Sequence, residues 1–196
     1  MITIDRIEDA WAECTRCPLS QCGRRKVVVG AGPTPCQLML VGEGPGEAED
    51  ERGIPFIGPA GKLLRFCAQS QNIDLRTEAY ITNMVGCRPP DNRIPLFNEI
   101  DACRARLEQL AVVVQPKVIL ILGGTALMAL TGKQGITRAR GKWLETEWTW
   151  KMKTHRISVI PTFHPAGLLP NRLKEPRDLE LFKSDIKSAY DRAYGE

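Results

Sequence analysis

The stretch VILILG, residues 118–123, decides the fold of this chain of 196 residues. It is a run of aliphatic residues that ends in glycine, which is the pattern of a strand buried on both faces. Residues 37–42, QLMLVG, and residues 79–85, AYITNMV, have the same character. Solid apolar strands of this kind are typical of parallel sheets, because helices cover both faces of such sheets.

Helical patterns alternate with these strands. Apolar residues at helical spacing predict a helix of about four turns that contains Cys103 and stops before Pro116. Other helices are predicted over residues 4–13, 59–72 and 126–130 and over the C-terminal stretch, and a strand pair over residues 143–150 and 156–160. The sequence therefore predicts an α/β fold, a three-layer α/β/α sandwich around a central, mostly parallel sheet of about four strands. Because the chain has no internal repeat and no low-complexity tract, we expect residues 1–196 to form a single domain.

The composition is that of an ordinary globular protein, with 43% hydrophobic and 26% charged residues. These proportions exclude a disordered chain, a collagen and a coiled coil. Residues 1–11, MITIDRIEDAW, carry acids where a secretory signal has a basic start, and Gly123 and Gly124 interrupt the longest uncharged run. We therefore expect a cytoplasmic protein with no membrane partner. The net charge of +4 permits a polyanionic partner without requiring one.

Seven cysteines in a chain without an export signal favour metal or redox chemistry over disulfides. Cys14 and Cys17 form a CxxC pair that can bind one metal centre, and Cys87 and Cys103 are the natural second pair. The sixteen residues that separate Cys87 from Cys103 do not suit a zinc ribbon, so spacing alone leaves the metal open. The remaining cysteines are Cys22, a rival ligand, Cys36, and Cys67, which lies in an apolar helical pattern.

The loop after the first apolar strand, GEGPGEAED at residues 42–50, contains three glycines and several acids. It is not a dinucleotide fingerprint, because Glu47 occupies the third glycine position, no helix is expected to open there, and glutamates repel a pyrophosphate. The pattern favours backbone that approaches a neutral ligand beside a carboxylate, or else a solvated turn. Phe56, between Pro55 and Gly58, offers a flat face for stacking.

Two more loops follow predicted strands. Asn83 lies near the end of one strand, before CRPPDNR at residues 87–93, and His164 begins HPAGLLPN at residues 164–171. His164 is a better functional candidate than His155, which lies in a basic segment, although a structural role is the alternative for both Asn83 and His164. The two leucines of the second loop belong either to the core or to a wedge that enters a base stack.

Taken in order, these segments resemble the family 4 uracil-DNA glycosylases, the iron–sulfur branch of the uracil-DNA glycosylase superfamily. The matching pieces are CTRCPL, GEGPGEAEDERGIPFIGPAGKLL, YITNMVGCRPPDNRIP, the helix with Cys103, KVILILG and TFHPAGLLPN. The resemblance implies a three-layer α/β/α fold and a structural [4Fe–4S] cluster held by Cys14, Cys17, Cys87 and Cys103.

The resemblance also implies the activity, which is hydrolysis of the bond between uracil and deoxyribose in DNA after the base is flipped out of the stack. In proteins similar to this one, the residue at Phe56 stacks on uracil and that at Asn83 reads the pyrimidine edge. Backbone at Gly44 approaches the base, and His164 binds uracil O2. We expect His164 to be a neutral donor, since one of its nitrogens must present a proton to the base.

For the attacking water we expect Glu43 to position or deprotonate it, with Glu49 as the second candidate. Leu168 is the expected wedge and Leu169 its alternate. The candidate phosphate contacts are Arg88, Arg93, Arg138, Arg140 and Lys142. The expected partner is uracil-containing DNA, single- or double-stranded, bound by a monomer at the nucleoid of a prokaryote, with a sliding clamp as a further candidate partner.

The chain also departs from the family pattern. Gly86 stands where many relatives have lysine, and Pro170 where arginine is common. Both changes remove a positive charge near the presumed DNA, so a DNA-binding module without catalysis stays open as an alternative, as does another damaged base as substrate. Residues 87–95, CRPPDNRIP, lack the basic insertion with histidine of the covalent-trapping branch, and we therefore reject covalent trapping.

Overall fold

The computed structural model describes residues 2–150 and 153–195. Its strands are β1 (Leu38–Gly42), β2 (Tyr80–Asn83), β3 (Val118–Leu122), β4 (Leu144–Trp150) and β5 (Lys153–Thr162). They form a single sheet in the order β2-β1-β3-β5-β4, in which β4 alone is antiparallel to its neighbour. The predicted α/β class and mostly parallel sheet are confirmed. The sheet has five strands rather than about four, because β4 pairs along its whole length with the outer edge of β5.

Eight α-helices accompany the strands in the described ranges. They are α1 (Ile4–Ala12), α2 (Glu47–Arg52), α3 (Pro59–Gln69), α4 (Leu75–Glu78), α5 (Phe97–Val114), α6 (Gly124–Thr131), α7 (Ile136–Ala139) and α8 (Pro176–Tyr194). The predicted helices all occur, with ends that shift by a few residues.

The expectation that no helix opens at Glu47 is wrong, because α2 begins there. Gly46 precedes it in an extended conformation, and Glu47, Glu49 and Asp50 lie in its first turn. Acidic side chains at a helix N-terminus are stabilised by the helix dipole, and this signal could have revealed α2 from the sequence. The same acids leave the N-terminus unsuited to a phosphate.

The three layers follow from the alternation of side chains along the strands. Met39 and Val41 of β1 belong to an apolar cluster with residues of α1, α5 and α6, whereas Leu38 and Leu40 belong to a second cluster with residues of α3 and α8. Each central strand is thus buried on both faces, which explains the unbroken apolar runs in the sequence.

The parallel strands bring the candidate residues to one edge of the sheet. Gly42 at the end of β1 is in register with Asn83 at the end of β2, and Leu122 of β3 is in register with Thr162 of β5. Loops at the carboxyl ends of parallel strands are where α/β proteins place their sites. Within the described ranges, no helix combines the length and apolar character that crossing a bilayer requires.

Candidate active site and cysteine cluster

A cleft of about 690 Å³ lies at the carboxyl edge of the sheet. Its walls contain eight of the predicted site residues, which are Glu43, Gly44, Glu49, Phe56, Asn83, Arg93, His164 and Leu169. These residues come from loops, from helix α2 and from the end of strand β2, so the fold brings together residues that are far apart in the sequence.

Phe56 and Asn83, which both line the cleft, lie against the backbone of Gly42. A Cβ atom at this position would lie 2.5 Å from Asn83 Oδ1 and 2.5 Å from Phe56 Cζ. The Phe56 ring and the Asn83 amide therefore both approach this glycine more closely than any side chain would allow. Gly44 also lines the cleft, but a Cβ atom there would meet Val85 Cγ2 at 2.9 Å rather than these two groups.

The Phe56 ring forms an aromatic wall of the cleft, and contacts with α3 fix the backbone of this residue. Its φ angle is 54°, in the left-handed region, and Arg65 Nη1 donates to its carbonyl oxygen at 2.6 Å. Gly61 of α3 allows this turn, since a Cβ atom there would lie 1.5 Å from the same oxygen. The ring is 5% exposed, and its centroid lies 6.1 Å from that of His164 at an interplanar angle of 38°.

Asn83 has a buried acceptor without a hydrogen-bond partner. The residue is 1% exposed and lines the cleft, yet its Oδ1 atom has no hydrogen-bond partner. A buried polar atom without a partner costs about 1–3 kcal/mol. A ligand that donates a hydrogen bond here would remove that cost, so the free structure already favours a donor at this point.

His164 has one nitrogen committed to the backbone. The Ala166 N–H donates to Nδ1 at 3.2 Å, so Nδ1 is unprotonated and the proton of the neutral ring lies on Nε2. Burial lowers the pKa of His164 to about 4, because the charged form loses its hydration. The imidazole is therefore neutral near pH 7 and has a hydrogen-bond donor at Nε2.

The two carboxylates of the cleft are held differently. Glu43 Oε2 accepts a hydrogen bond from Thr125 Oγ1, in the first turn of α6, and the Glu43 residue is half-buried. Glu49 is 8% exposed, and its Oε1 accepts from the Gly58 N–H at 2.8 Å. Glu49 thus braces the loop that carries Phe56. In the described part of the chain, the hydrogen bond of the Glu43 carboxylate is made by Oε2, and Oε1 has no protein partner.

The two adjacent leucines have separate environments. Leu168 is 5% exposed and packs into the apolar cluster of α3 and α8, whereas Leu169 lines the cleft. The Leu168 side chain thus contributes to the core, whereas that of Leu169 lies at the cleft. Which of the two leucines acts as the wedge stays a prediction.

Several predicted phosphate contacts are occupied by protein groups. Arg93 makes a two-pronged contact with buried Glu99, at 2.6 and 2.9 Å, and the same carboxylate accepts from the Leu96 N–H at the start of α5. Arg140 pairs with buried Asp185. Both guanidinium groups thus have carboxylate partners within the protein, although Arg93 also lines the cleft, and their assignment as phosphate contacts stays a prediction.

The other basic candidates have different surroundings, and their assignment as phosphate contacts stays a prediction. Arg88 Nε donates to Asn92 Oδ1 at 2.9 Å, and its Nη1 lies 3.5 Å from a Glu47 carboxylate oxygen. Arg138 and Lys142 are exposed and are not among the residues that line the cleft. Arg172, which the sequence reasoning missed, does line it. It lies two residues after Pro170, where arginine was expected, and this proximity is the signal that could have found it.

The four predicted metal ligands lie in one region of the structure. Cys87 and Cys103 are buried members of the apolar cluster that also contains residues of α1 and α5, and half-buried Cys14 and Cys17 pack against it. Burial raises the pKa of Cys17, and the thiols of Cys103 and Cys14 raise it further. All four thiols are free of disulfides.

Arg24 is a neighbour of this cysteine group that sequence reasoning missed. Its Nη1 lies 3.3 Å from Cys87 Sγ and also donates to the Cys14 carbonyl oxygen. Burial raises the pKa of Cys87 to about 11, and Arg24 opposes this shift. A cation beside a buried thiol favours the thiolate that binds metal.

The donor set fits an iron–sulfur cluster. Four cysteines without histidine are the usual ligands of a [4Fe–4S] group, and these four share one partly buried, apolar environment with a cation beside it. Within residues 2–150 and 153–195, no three histidine, cysteine or acidic side chains are gathered closely enough for a single metal ion. Cys22 is exposed, with its Sγ donating to the Pro18 carbonyl oxygen at 3.2 Å, and Cys67 lies in the other apolar cluster.

Comparison with known proteins agrees with the site. Residues 29–187 match the family model of the uracil DNA glycosylase superfamily. The chain is 37% identical over 198 residues to the type-4 uracil-DNA glycosylase of Sulfurisphaera tokodaii, covering 98% of this chain and 86% of that protein. It is 44% identical over 182 residues to the type-4 uracil-DNA glycosylase of Thermotoga maritima, covering 89% and 90%. For the protein of the same name from Saccharolobus solfataricus, the identity is 38% over 177 residues, covering 87% and 79%. The chain therefore belongs to the uracil-DNA glycosylase superfamily, as its ordered loop motifs predict.

Proposed function

We propose that this protein is a uracil-DNA glycosylase that binds a flipped uracil in the cleft and hydrolyses its bond to deoxyribose, leaving an abasic site. The observation that carries the proposal is the unpaired Asn83 Oδ1, buried beside the Phe56 ring and within the same cleft as a neutral His164. An uncharged planar base with a hydrogen-bond donor on its edge matches this set.

Base recognition depends on Asn83 and Phe56. Uracil has a proton on N3, which donates to Asn83 Oδ1, whereas N3 of cytosine has none and leaves that buried acceptor unpaired. A site built to bond a donor rejects an analogue that lacks it. The fixed ring of Phe56 supplies the stacking surface that replaces the lost base stack.

Bond cleavage depends on charge stabilisation at the departing base. As the C1′–N1 bond breaks, its electron pair moves onto uracil, and the N–H at His164 Nε2 donates to O2, where negative charge develops. A preorganised donor of this kind is worth about 3 kcal/mol. Because burial keeps the pKa of His164 at about 4, the ring donates as neutral imidazole and keeps its own proton.

The water that replaces uracil is assigned to Glu43. Its Oε2 is fixed by Thr125, and the other oxygen accepts a proton from the water as the water oxygen bonds to C1′. The carboxylate also stabilises the positive charge that the sugar develops. We assign Glu49 to holding Gly58 and thereby the Phe56 loop, since its Oε1 is already bonded to that backbone N–H.

Leu169 and Arg172 are assigned to DNA. Leu169 enters the gap left by the flipped nucleotide, because it lines the cleft while Leu168 is in the core. Arg172 is exposed beside the cleft and contacts a backbone phosphate near the flipped nucleotide.

We also propose that Cys14, Cys17, Cys87 and Cys103 hold a [4Fe–4S] cluster, with Arg24 offsetting part of its negative charge. When bound, the cluster joins the segment after α1 to the loop after β2 and to α5, and it takes no part in the reaction. The four-cysteine donor set and the motif spacing support this assignment.

The activity is tested on an end-labelled oligonucleotide with one uracil, which is treated with alkali after incubation to break the strand at abasic sites. We expect cleavage with uracil and none with cytosine at that position. His164→Gln lowers the single-turnover rate about 100-fold or more, and His155→Gln, at the other histidine, leaves it unchanged.

Absence of any break, with an active control glycosylase in the same buffer, would overturn the proposal. Salt-dependent binding without base release would point to a DNA-binding module instead. Matched duplexes that contain hypoxanthine or xanthine separate a different base preference from true uracil specificity, because faster release of either base would reassign the substrate.

A further inference from the structure

Arg106 is an unusual residue, a fully buried guanidinium on α5 with 0% exposure. Among the described residues, its hydrogen-bond partners are all neutral oxygens rather than carboxylates. They are Val29 O at 2.5 Å, Thr82 Oγ1 at 2.9 Å, Asn83 O at 2.5 Å and Met84 O at 3.4 Å. Burying a charge without an ionic partner is costly, so these hydrogen bonds must fix the group and its neighbours firmly.

The position of Arg106 relates directly to the base-reading residue. Strand β2 is an edge of the sheet, and among the described residues its outer side forms one antiparallel bridge, between Ile81 and Ala31. Beyond that bridge, Arg106 supplies the donors for the Asn83 and Met84 carbonyls. The inner side is held by β1, because the Met84 N–H donates to Gly42 O at 2.9 Å.

The guanidinium lies between two segments of the chain. Its Nη1 donates to Val29 O and Thr82 Oγ1, and its Nη2 donates to the carbonyl oxygens of Asn83 and Met84, where β2 ends. The Nε atom is buried without a partner and lies next to Gly86, where a Cβ atom would be 3.4 Å away. Arg106 therefore ties the end of β2 to the segment that contains Val29.

We propose that Arg106 is a positioning residue that fixes the backbone of Asn83 and so keeps the unpaired Oδ1 aimed at the base. The inference rests on the proposed function, since it concerns how Asn83 distinguishes uracil from cytosine. Removing the guanidinium leaves the Asn83 carbonyl without this donor at a strand edge. The amide then loses its fixed direction, although no atom of Arg106 reaches the cleft.

The test measures binding rather than turnover. The probes are two oligonucleotides, one with a single 2′-fluoro-2′-deoxyuridine and one with 2′-fluoro-2′-deoxycytidine, in which the fluorine slows loss of the base. We expect the natural protein to prefer the uracil probe. In Arg106→Met, the ratio of the dissociation constants of the two probes falls by about tenfold or more. This is the loss expected when a charge-assisted hydrogen bond that orients Asn83 is removed.

Leu110→Ala is the matched control, because Leu110 is also 0% exposed on α5 but contacts the apolar cluster. It lowers the melting temperature and keeps the uracil preference. In an Asn83→Ala background, Arg106→Met causes no further loss of preference, because the residue through which it acts is gone. A further loss in that background would overturn the inference.

Arg106→Lys covers the case in which Arg106→Met does not fold. Lysine keeps the charge but cannot reach the same set of oxygens with a planar fork, so we expect an intermediate loss of preference. A folded Arg106→Met or Arg106→Lys protein with full preference overturns the positioning role, and so does failure of both to fold. No preference in the natural protein would instead count against the proposed function itself.

Discussion

Gly42→Ala is the substitution that the geometry of the cleft tests most directly. The added methyl carbon would lie 2.5 Å from Phe56 Cζ and 2.5 Å from Asn83 Oδ1. Contacts between carbon atoms are normally about 3.5–4.0 Å, so the ring must retreat by roughly 1 Å. The Phe56 backbone cannot follow easily, because its carbonyl oxygen is held by Arg65 and lies against Gly61.

Both consequences of this overlap can be measured. A misplacement of about 1 Å in a binding group costs about 100-fold in rate, so we expect the single-turnover rate of uracil release to fall by about that factor. Overpacking of the core lowers the free energy of unfolding by about 1–3 kcal/mol, which a denaturant titration records. The rate is measured with enzyme in excess over the labelled oligonucleotide, so that affinity does not limit it.

Gly124→Ala is the control, since a Cβ atom there meets nothing within 4 Å. We expect it to retain the rate of the natural protein. Gly44→Ala is the informative comparison, because its Cβ atom meets Val85 Cγ2 at 2.9 Å and leaves the Phe56 ring and the Asn83 amide in place. A folded Gly42→Ala protein with more than half of the natural rate would refute the placement of these two groups against uracil.

Three further predictions concern pH, the cysteines and DNA affinity. Because burial lowers the pKa of His164 to about 4 from about 6.5 in the unfolded chain, the unfolded chain binds more protons between these values. The contribution of His164 to the free energy of unfolding therefore rises by about 3 kcal/mol from pH 4 to pH 6.5, and denaturant titrations show this part of the pH dependence lost in His164→Gln and kept in His155→Gln. We expect the Cys103→Ser protein to lose its bound iron and the broad visible absorbance of the purified protein. The Cys67→Ser protein keeps both, because Cys67 lies in the other apolar cluster. An equal iron content in the two variants would refute the ligand set. Arg172→Gln weakens binding to uracil-containing DNA and leaves the single-turnover rate at saturation unchanged. The slope of the logarithm of the binding constant against the logarithm of the salt concentration falls by about 1 in magnitude. An unchanged slope would exclude a phosphate contact.

Burial along the chain explains why the sheet was predictable. The strand residues 118–122 are apolar without interruption because helices cover both faces, and that pattern is local. The sequence also singled out Phe56, Asn83 and His164, which all line the cleft. Asn83 ends β2 and His164 follows β5, whereas Phe56 lies between α2 and α3. Residues that support the site were not predictable in this way. Thr125 contacts Glu43 from 82 positions away, and no local pattern predicts such a pair.

The adjacent leucines show the same limit on a smaller scale. Leu168 and Leu169 have the same side chain and the same flanking glycine and proline, yet the 3₁₀ turn at Pro165–Leu168 directs the first into the core and leaves the second at the cleft. Side-chain direction within a short turn depends on tertiary packing, which composition does not encode. The same limit applies to Arg93, which the sequence predicts as a phosphate contact and which forms an ion pair with Glu99 in the structure.

The absence of basic residues at Gly86 and Pro170 was the reason to consider a DNA-binding module without catalysis. At Gly86, the Cβ atom of a lysine would lie 3.0 Å from Val27 Cγ1 and 3.3 Å from the Val28 carbonyl oxygen, so glycine there suits the close packing of this loop against residues 27 and 28. At Pro170, the charge is displaced by two residues, because Arg172 lines the cleft. Neither change removes a group that contacts the base. Both departures are therefore compatible with an active glycosylase, and the argument for a module without catalysis loses its only support.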